Sequence, residues 1–147
     1  MKMLFLRATF ALTVFLASAV APFQASAEPL SEQDANQVRI VIVTQLQAFA
    51  EDDADSAFAT ATPGVRAAIG NPGRFLAMVR GQYPMVYRPA TVSFLKPEED
   101  AGTVMQLVQI TDGDDKAWLA LFALERQPDS SWRISGCIVT ANPWRAA

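Results

Sequence analysis

The strongest constraint on the fold of this chain lies in its C-terminal half, where four β-rich runs are separated only by short turn clusters. Ala90 to Lys96 is followed by Glu98-Glu99-Asp100-Ala101-Gly102, and Thr103 to Thr111 by Asp112-Gly113-Asp114-Asp115. Lys116 to Arg126 is followed by Pro128-Asp129-Ser130, and Ser131 to Thr140 closes the series. Connections this short cannot make the crossover that parallel neighbours require, so the runs are expected to pair antiparallel as a four-stranded meander. Both faces of the runs are apolar: Trp118, Ala120, Phe122 and Leu124 alternate with Leu119, Leu121 and Ala123. A sheet with one wetted face alternates apolar and polar residues more cleanly. Either the outer face is covered in a homodimer through the sheet, or the sheet curls strongly around its own core.

The residues before the meander follow a helical period. Ser31-Glu32-Gln33-Asp34 resembles a capping box with Asp in place of the usual Glu. It predicts a helix from Glu32 to Ala50, with Ala35, Val38, Ile42, Leu46 and Phe49 as one apolar stripe. The run Ile40 to Val43 should widen that stripe over much of the helix girth. A second helix is expected from Asp53 to Thr60, with Ala54, Ala57 and Phe58 inward, and one helical turn from Val65 to Ile69. Asn71-Pro72 supplies a cap and a first-position proline for a third helix with Phe75, Leu76, Met78 and Val79 on its apolar face. Pro84 ends that helix, and Tyr83 to Pro89 is expected as an extended connection. Helices first and a meander after read as α+β, with the N-terminal helices packed on one face of the antiparallel sheet.

The first residues carry an address. Lys2 and Arg7, the apolar run Ala8 to Ala21 and then Ala25-Ser26-Ala27 form the pattern of a secretory signal peptide. The run is shorter than the roughly 20 residues of a spanning helix. Cleavage between Ala27 and Glu28 is expected, leaving residues 28–147 as a single domain, periplasmic or secreted, with no membrane attachment. No cysteine stands just after the junction, which argues against a lipid anchor. The chain has 12 basic and 15 acidic residues, and losing Lys2 and Arg7 leaves 10 against 15, a net charge of −5. That balance argues against nucleic acid and anionic membranes as partners. One cysteine and no histidine exclude an internal disulfide, His-ligated zinc, Ser-His-Asp triads and Cys-His dyads within one chain. The residues imply no cofactor and no metal.

A few residues stand out as candidates. Tyr83 and Tyr87 flank the exit of the third helix, and an apolar ring with a polar tip suits either ligand contact or the sealing of a core edge. Arg88 beside them could hold an anionic group or lie on the surface. Gln106 and Gln109 interrupt an apolar run and face opposite ways. Gln106, on the side of Val104, Val108 and Ile110, either meets a ligand or points to an edge or to solvent. The acids cluster in turns at Glu51 to Asp55, Glu98 to Asp100 and Asp112 to Asp115, where nothing tunes a pKa toward that of a general base; Glu125 near a strand end stays open. Asp112 to Asp115 lacks the spacing of a calcium loop and reads as a hairpin turn. Cys137 is expected as a small buried hydrophobe facing opposite to Ile134 and Gly136.

The segment Tyr83-Pro84-Met85-Val86-Tyr87 and the final run Trp132-Arg133-Ile134-Ser135-Gly136-Cys137 carry a resemblance that covers Leu30 to Trp144. The chain resembles the exported bacterial family called domain of unknown function 4864. The resemblance implies the α+β cone of the nuclear transport factor two-like superfamily, in which a curved sheet wraps around helices and often leaves a pocket open at one end. That superfamily holds isomerases and dehydratases as well as non-catalytic binding domains, and fold analogy alone assigns no function. The family has no assigned activity, so no catalytic residue carries over. The expectation is a non-catalytic binding module for a small apolar or weakly anionic molecule or a protein partner, using Tyr83, Tyr87, Gln106 and Arg88. The alternatives are a small-molecule isomerase or dehydratase, which needs a buried acid of raised pKa, and a dimeric structural or assembly protein of the cell envelope.

Overall fold

Ser31 opens helix α1 (Glu32–Ala50) by accepting the Asp34 main-chain N–H at 3.1 Å. The structure, a computed structural model, describes residues 30–145. The expected leader, residues 1–27, and the Ala27–Glu28 junction lie outside the described residues. The second half of the capping box is not made. Instead the Asp34 carboxylate turns to the sheet, accepting from Trp132 Nε1 at 3.3 Å and from Arg126 at 2.5 Å. Val38, Ile42, Leu46 and Phe49 are buried as one stripe, joined by Gln45 and Ala48. The widening expected from Ile40 to Val43 fails. Ile40 is 53% exposed, because two helical steps of about 100° place it across the helix from Ile42.

Short helices follow: α2 (Ala54–Ala59), α3 (Pro63–Ile69), α4 (Pro72–Gln82) and α5 (Pro84–Tyr87). Asp53, Thr62 and Asn71 cap the first three of these through their side chains, and Pro63 and Pro72 stand in the first turns of α3 and α4. Between α3 and α4 the chain turns at Gly70, whose φ of 106° a side chain would strain. The helix α5 corrects the extended connection expected at Tyr83–Pro89. Pro84 does end α4, through Tyr83 at φ −131° and ψ 59°. The same proline also suits the first position of a helix, and it starts a new turn there.

The sheet holds five strands, not four: β1 (Thr91–Phe94), β2 (Glu98–Asp100), β3 (Thr103–Thr111), β4 (Ala117–Arg126) and β5 (Trp132–Ala141). All pair antiparallel, in the order β1-β3-β4-β5, with β2 beside β1 on the same edge of β3. The expected turn at Glu98 to Gly102 is therefore half strand. Only Ala101 and Gly102 turn, at φ 50° and 83°, the positive pair that a two-residue hairpin requires. Between β1 and β2 the chain passes Pro97, which cannot donate to a ladder.

The inner face of this curved antiparallel sheet carries Val104, Val108, Ile110, Ala120, Phe122 and Leu124, all buried against the helices. Each large side chain sealed this way contributes about 2 kcal/mol. Phe49 meets Phe75 of α4 edge-on, with ring centroids 5.2 Å apart. The outer face stays partly open: Leu107, Leu121 and Ile138 lie in one cross-strand row, with Leu107 37% and Ile138 64% exposed.

Candidate ligand cavity

The last strand carries the local feature that builds the site. Ala123 pairs with Gly136, but Leu124 pairs with Ile134, so Ser135 is an extra residue in β5. A bulge of this kind reverses the simple alternation of sides along a strand. Ile134 and Cys137 therefore share the inner face, which overturns the expectation that Cys137 faces away from Ile134. Cys137 is also not a sealed hydrophobe: it has open surface and lines a cavity.

That cavity measures about 210 Å³ and lies between β5 and the helices. Val65 and Ile69 reach it from α3 at the i, i+4 spacing of one helix face, and Phe75, Met78 and Val79 reach it from α4 at i, i+3, i+4. Tyr83 and Val86 line it from the α4–α5 exit, and Ala61, Ile134, Cys137 and Val139 complete its apolar wall. Among the described residues no Asp, Glu, Lys or Arg lines it. Apolar surroundings push the Cys137 thiol up to about 12. That shift favours the protonated sulfur over the thiolate a nucleophile would need.

Polar groups at the cavity are few. Ser135 Oγ donates to Ala123 O at 3.2 Å. Gln45 of α1, only 3% exposed, donates through Nε2 to Thr60 Oγ1 at 2.9 Å. Thr60 Oγ1 in turn donates to Ala57 O at 2.6 Å. The sequence reading passed over Gln45, although a signal was there: it stands seven residues after Val38 and three after Ile42, inside the apolar stripe.

Of the four residues expected to contact a ligand, Tyr83, Tyr87, Gln106 and Arg88, Tyr83 alone reaches the cavity. Tyr87 and Arg88 gather instead on Asp52. Its carboxylate accepts the Tyr87 hydroxyl, Arg80 at 3.1 Å and Arg88 at 3.4 Å, and the two guanidiniums sit 5.4 and 4.7 Å from the Tyr87 ring centre. Gln106 is 2% exposed, which corrects the edge- or solvent-facing option. Its Nε2 donates to Leu95 O at 2.7 Å and Leu107 O at 2.8 Å, patching the ladder where the edge strand breaks between β1 and β2. It borders a separate cleft with Arg39, Phe94 and Pro97. Asp112 serves its hairpin: it accepts the Asp114 and Lys116 main-chain N–H groups and Trp118 Nε1. Among the described residues no three His, Cys, Asp or Glu side chains group as a metal site.

Fold and cavity define an α+β domain with an apolar pocket between helices and sheet. The chain belongs to the family described as domain of unknown function (DUF4864), whose model matches residues 31–147. Among solved structures it is similar to an NTF-2 like protein of unknown function from Burkholderia xenovorans LB400, at 15% identity and a TM-score of 0.41, covering 76% of this chain and 92% of that one. No curated protein matches significantly. Among the described residues no helix is long and apolar enough to cross a membrane.

The resolved carboxylate shifts run downward. Asp52 is held below the usual carboxylate range by the Tyr87 hydroxyl first, then, against slight desolvation, by Arg80 and Arg88. For Asp34, partial burial pushes upward, but bonds from Trp132, Ser31 and Arg126 outweigh it. A depressed folded pKa gives stability that is present above the unfolded value near 4 and lost as pH falls through the folded one. Urea unfolding of the wild type should therefore lose more stability between pH 6 and pH 3 than Asp52→Asn does, and equal losses would contradict this role for Asp52.

Proposed function

We propose that this protein is an exported, non-catalytic module that binds a small apolar molecule in the cavity between α3, α4 and β5. The carrying observation is a cavity of about 210 Å³ with an aliphatic and aromatic wall and, among the described residues, no charged side chain. An engineered apolar cavity of roughly 150 Å³ takes up benzene, so this larger one suits a single substituted ring or a small fused pair. The leader pattern supports a periplasmic or secreted location. A catalytic reading lacks a carboxylate in the cavity wall. An anionic ligand would lose its hydration without meeting a cation there.

The cavity is filled from within by Val139→Phe. Toluene should raise the melting temperature of the wild type and leave that of Val139→Phe nearly unchanged. A toluene shift absent from the wild type, or equal in both proteins, would sink the proposal.

The open row Leu107, Leu121 and Ile138 supports a second reading, self-association through the outer sheet face. Sedimentation should then find a dimer that Ile138→Lys converts to monomer. A wild type that stays monomeric at high concentration would remove this reading.

A further inference from the structure

The orientation of the Gln45 amide follows from its neighbour. A threonine hydroxyl has one hydrogen to give. Thr60 gives that hydrogen to Ala57 O at 2.6 Å. Toward Gln45, Thr60 Oγ1 can therefore only accept, and Gln45 must present its NH₂ group, as the 2.9 Å contact from Nε2 has it. Exchanging the two ends of the amide would set Oε1 against Thr60 Oγ1, two acceptors with no hydrogen between them. Gln45 Oε1 then faces away from Thr60, and no hydrogen bond reaches it within the described residues. Among those residues Arg66 Nε is the only sealed side-chain polar atom without a partner. Gln45 Oε1 is thus not sealed. It belongs to a residue that is 3% exposed and lines the cavity.

An amide oxygen in an apolar cavity is an acceptor waiting for a donor, and leaving it unmatched is costly. Within the described wall Ser135 has committed its hydroxyl hydrogen to Ala123 O, a thiol such as Cys137 is a weak donor, and the Tyr83 hydroxyl makes no hydrogen bond to Gln45. With no charged side chain among the described residues of the wall, an ion meets no counter-charge there. Resting on the reading of this cavity as a binding site, we propose that Gln45 Oε1 selects the ligand: an uncharged, mostly apolar ring molecule that carries one hydroxyl or ring N–H and donates it to Gln45.

Indole and indene test this directly, since they share a shape and differ in an N–H against a CH₂. In calorimetric titrations indole should bind the wild type about tenfold more tightly than indene. In Gln45→Leu the two should bind within about twofold of each other. Thr60→Val provides a second route, because it frees the amide to rotate and should shrink the preference with Gln45 still in place. Equal binding of the two probes to the wild type, or an unchanged preference in both variants, overturns the role of Gln45 and leaves the cavity as a site. Binding of neither probe overturns the cavity reading, and the role of Gln45 falls with it.

Discussion

The helical half and the sheet of this protein are joined by one short exchange of main-chain hydrogen bonds, and the cavity depends on it. Ile134 N–H donates to Thr60 O at 2.8 Å, and Thr62 N–H donates back to Ile134 O at 2.9 Å, an isolated parallel bridge at Ala61. Backbone pairs buried away from water are costly to leave unmade, so this bridge fixes its neighbours firmly. It sets Thr60 under Gln45, Ala61 in the cavity wall and Thr62 as the cap that launches α3. The helix α3 therefore starts beside β5. Val65 and Ile69 line the cavity across from Cys137 and Val139, which the Ser135 bulge has turned inward.

Two polar ties hold the helices in that position from outside. Asp34 binds the start of α1 to Trp132 and Arg126 at the far end of the sheet. Asp52 binds the end of α1 to α4 and α5. Asp52 sits at φ 55°, with Asp53 N bonded to Ala48 O at 2.8 Å and Asp52 N to Phe49 O at 3.1 Å. This is the Schellman ending, whose left-handed residue is usually glycine. An aspartate there accepts some backbone cost, and the structure shows what its carboxylate does in return: it collects Tyr87, Arg80 and Arg88. Exposed ion pairs contribute little singly, but this cluster joins three helices around one residue.

Much of the fold was legible in the sequence, and the limits have physical causes. The helix Glu32–Ala50 was readable to its ends, because cap, period and the Glu51-Asp52-Asp53 break agree. The antiparallel sheet followed from turn length alone. Pro84 was misread because the same residue ends one helix and starts another. The facing of Cys137 was misread because alternation assumes an unbroken ladder, and the Ser135 bulge arises from pairing with β4 that no local signal in β5 announces. Within the candidate site Tyr83 was identified from its position, whereas Tyr87, Arg88 and Gln106 proved to be tied to Asp52 and to main-chain carbonyls. Gln45 was overlooked because a polar residue in an apolar stripe gains meaning only once its neighbours across space are known.

Native mass spectrometry of the protein isolated from the cells that make it tests the central claim most directly. The account predicts a chain that begins at Glu28 and carries one small uncharged molecule, released when the gas-phase energy is raised. A bare chain under the gentlest conditions, still bare after exposure to small ring alcohols and indoles, would contradict it.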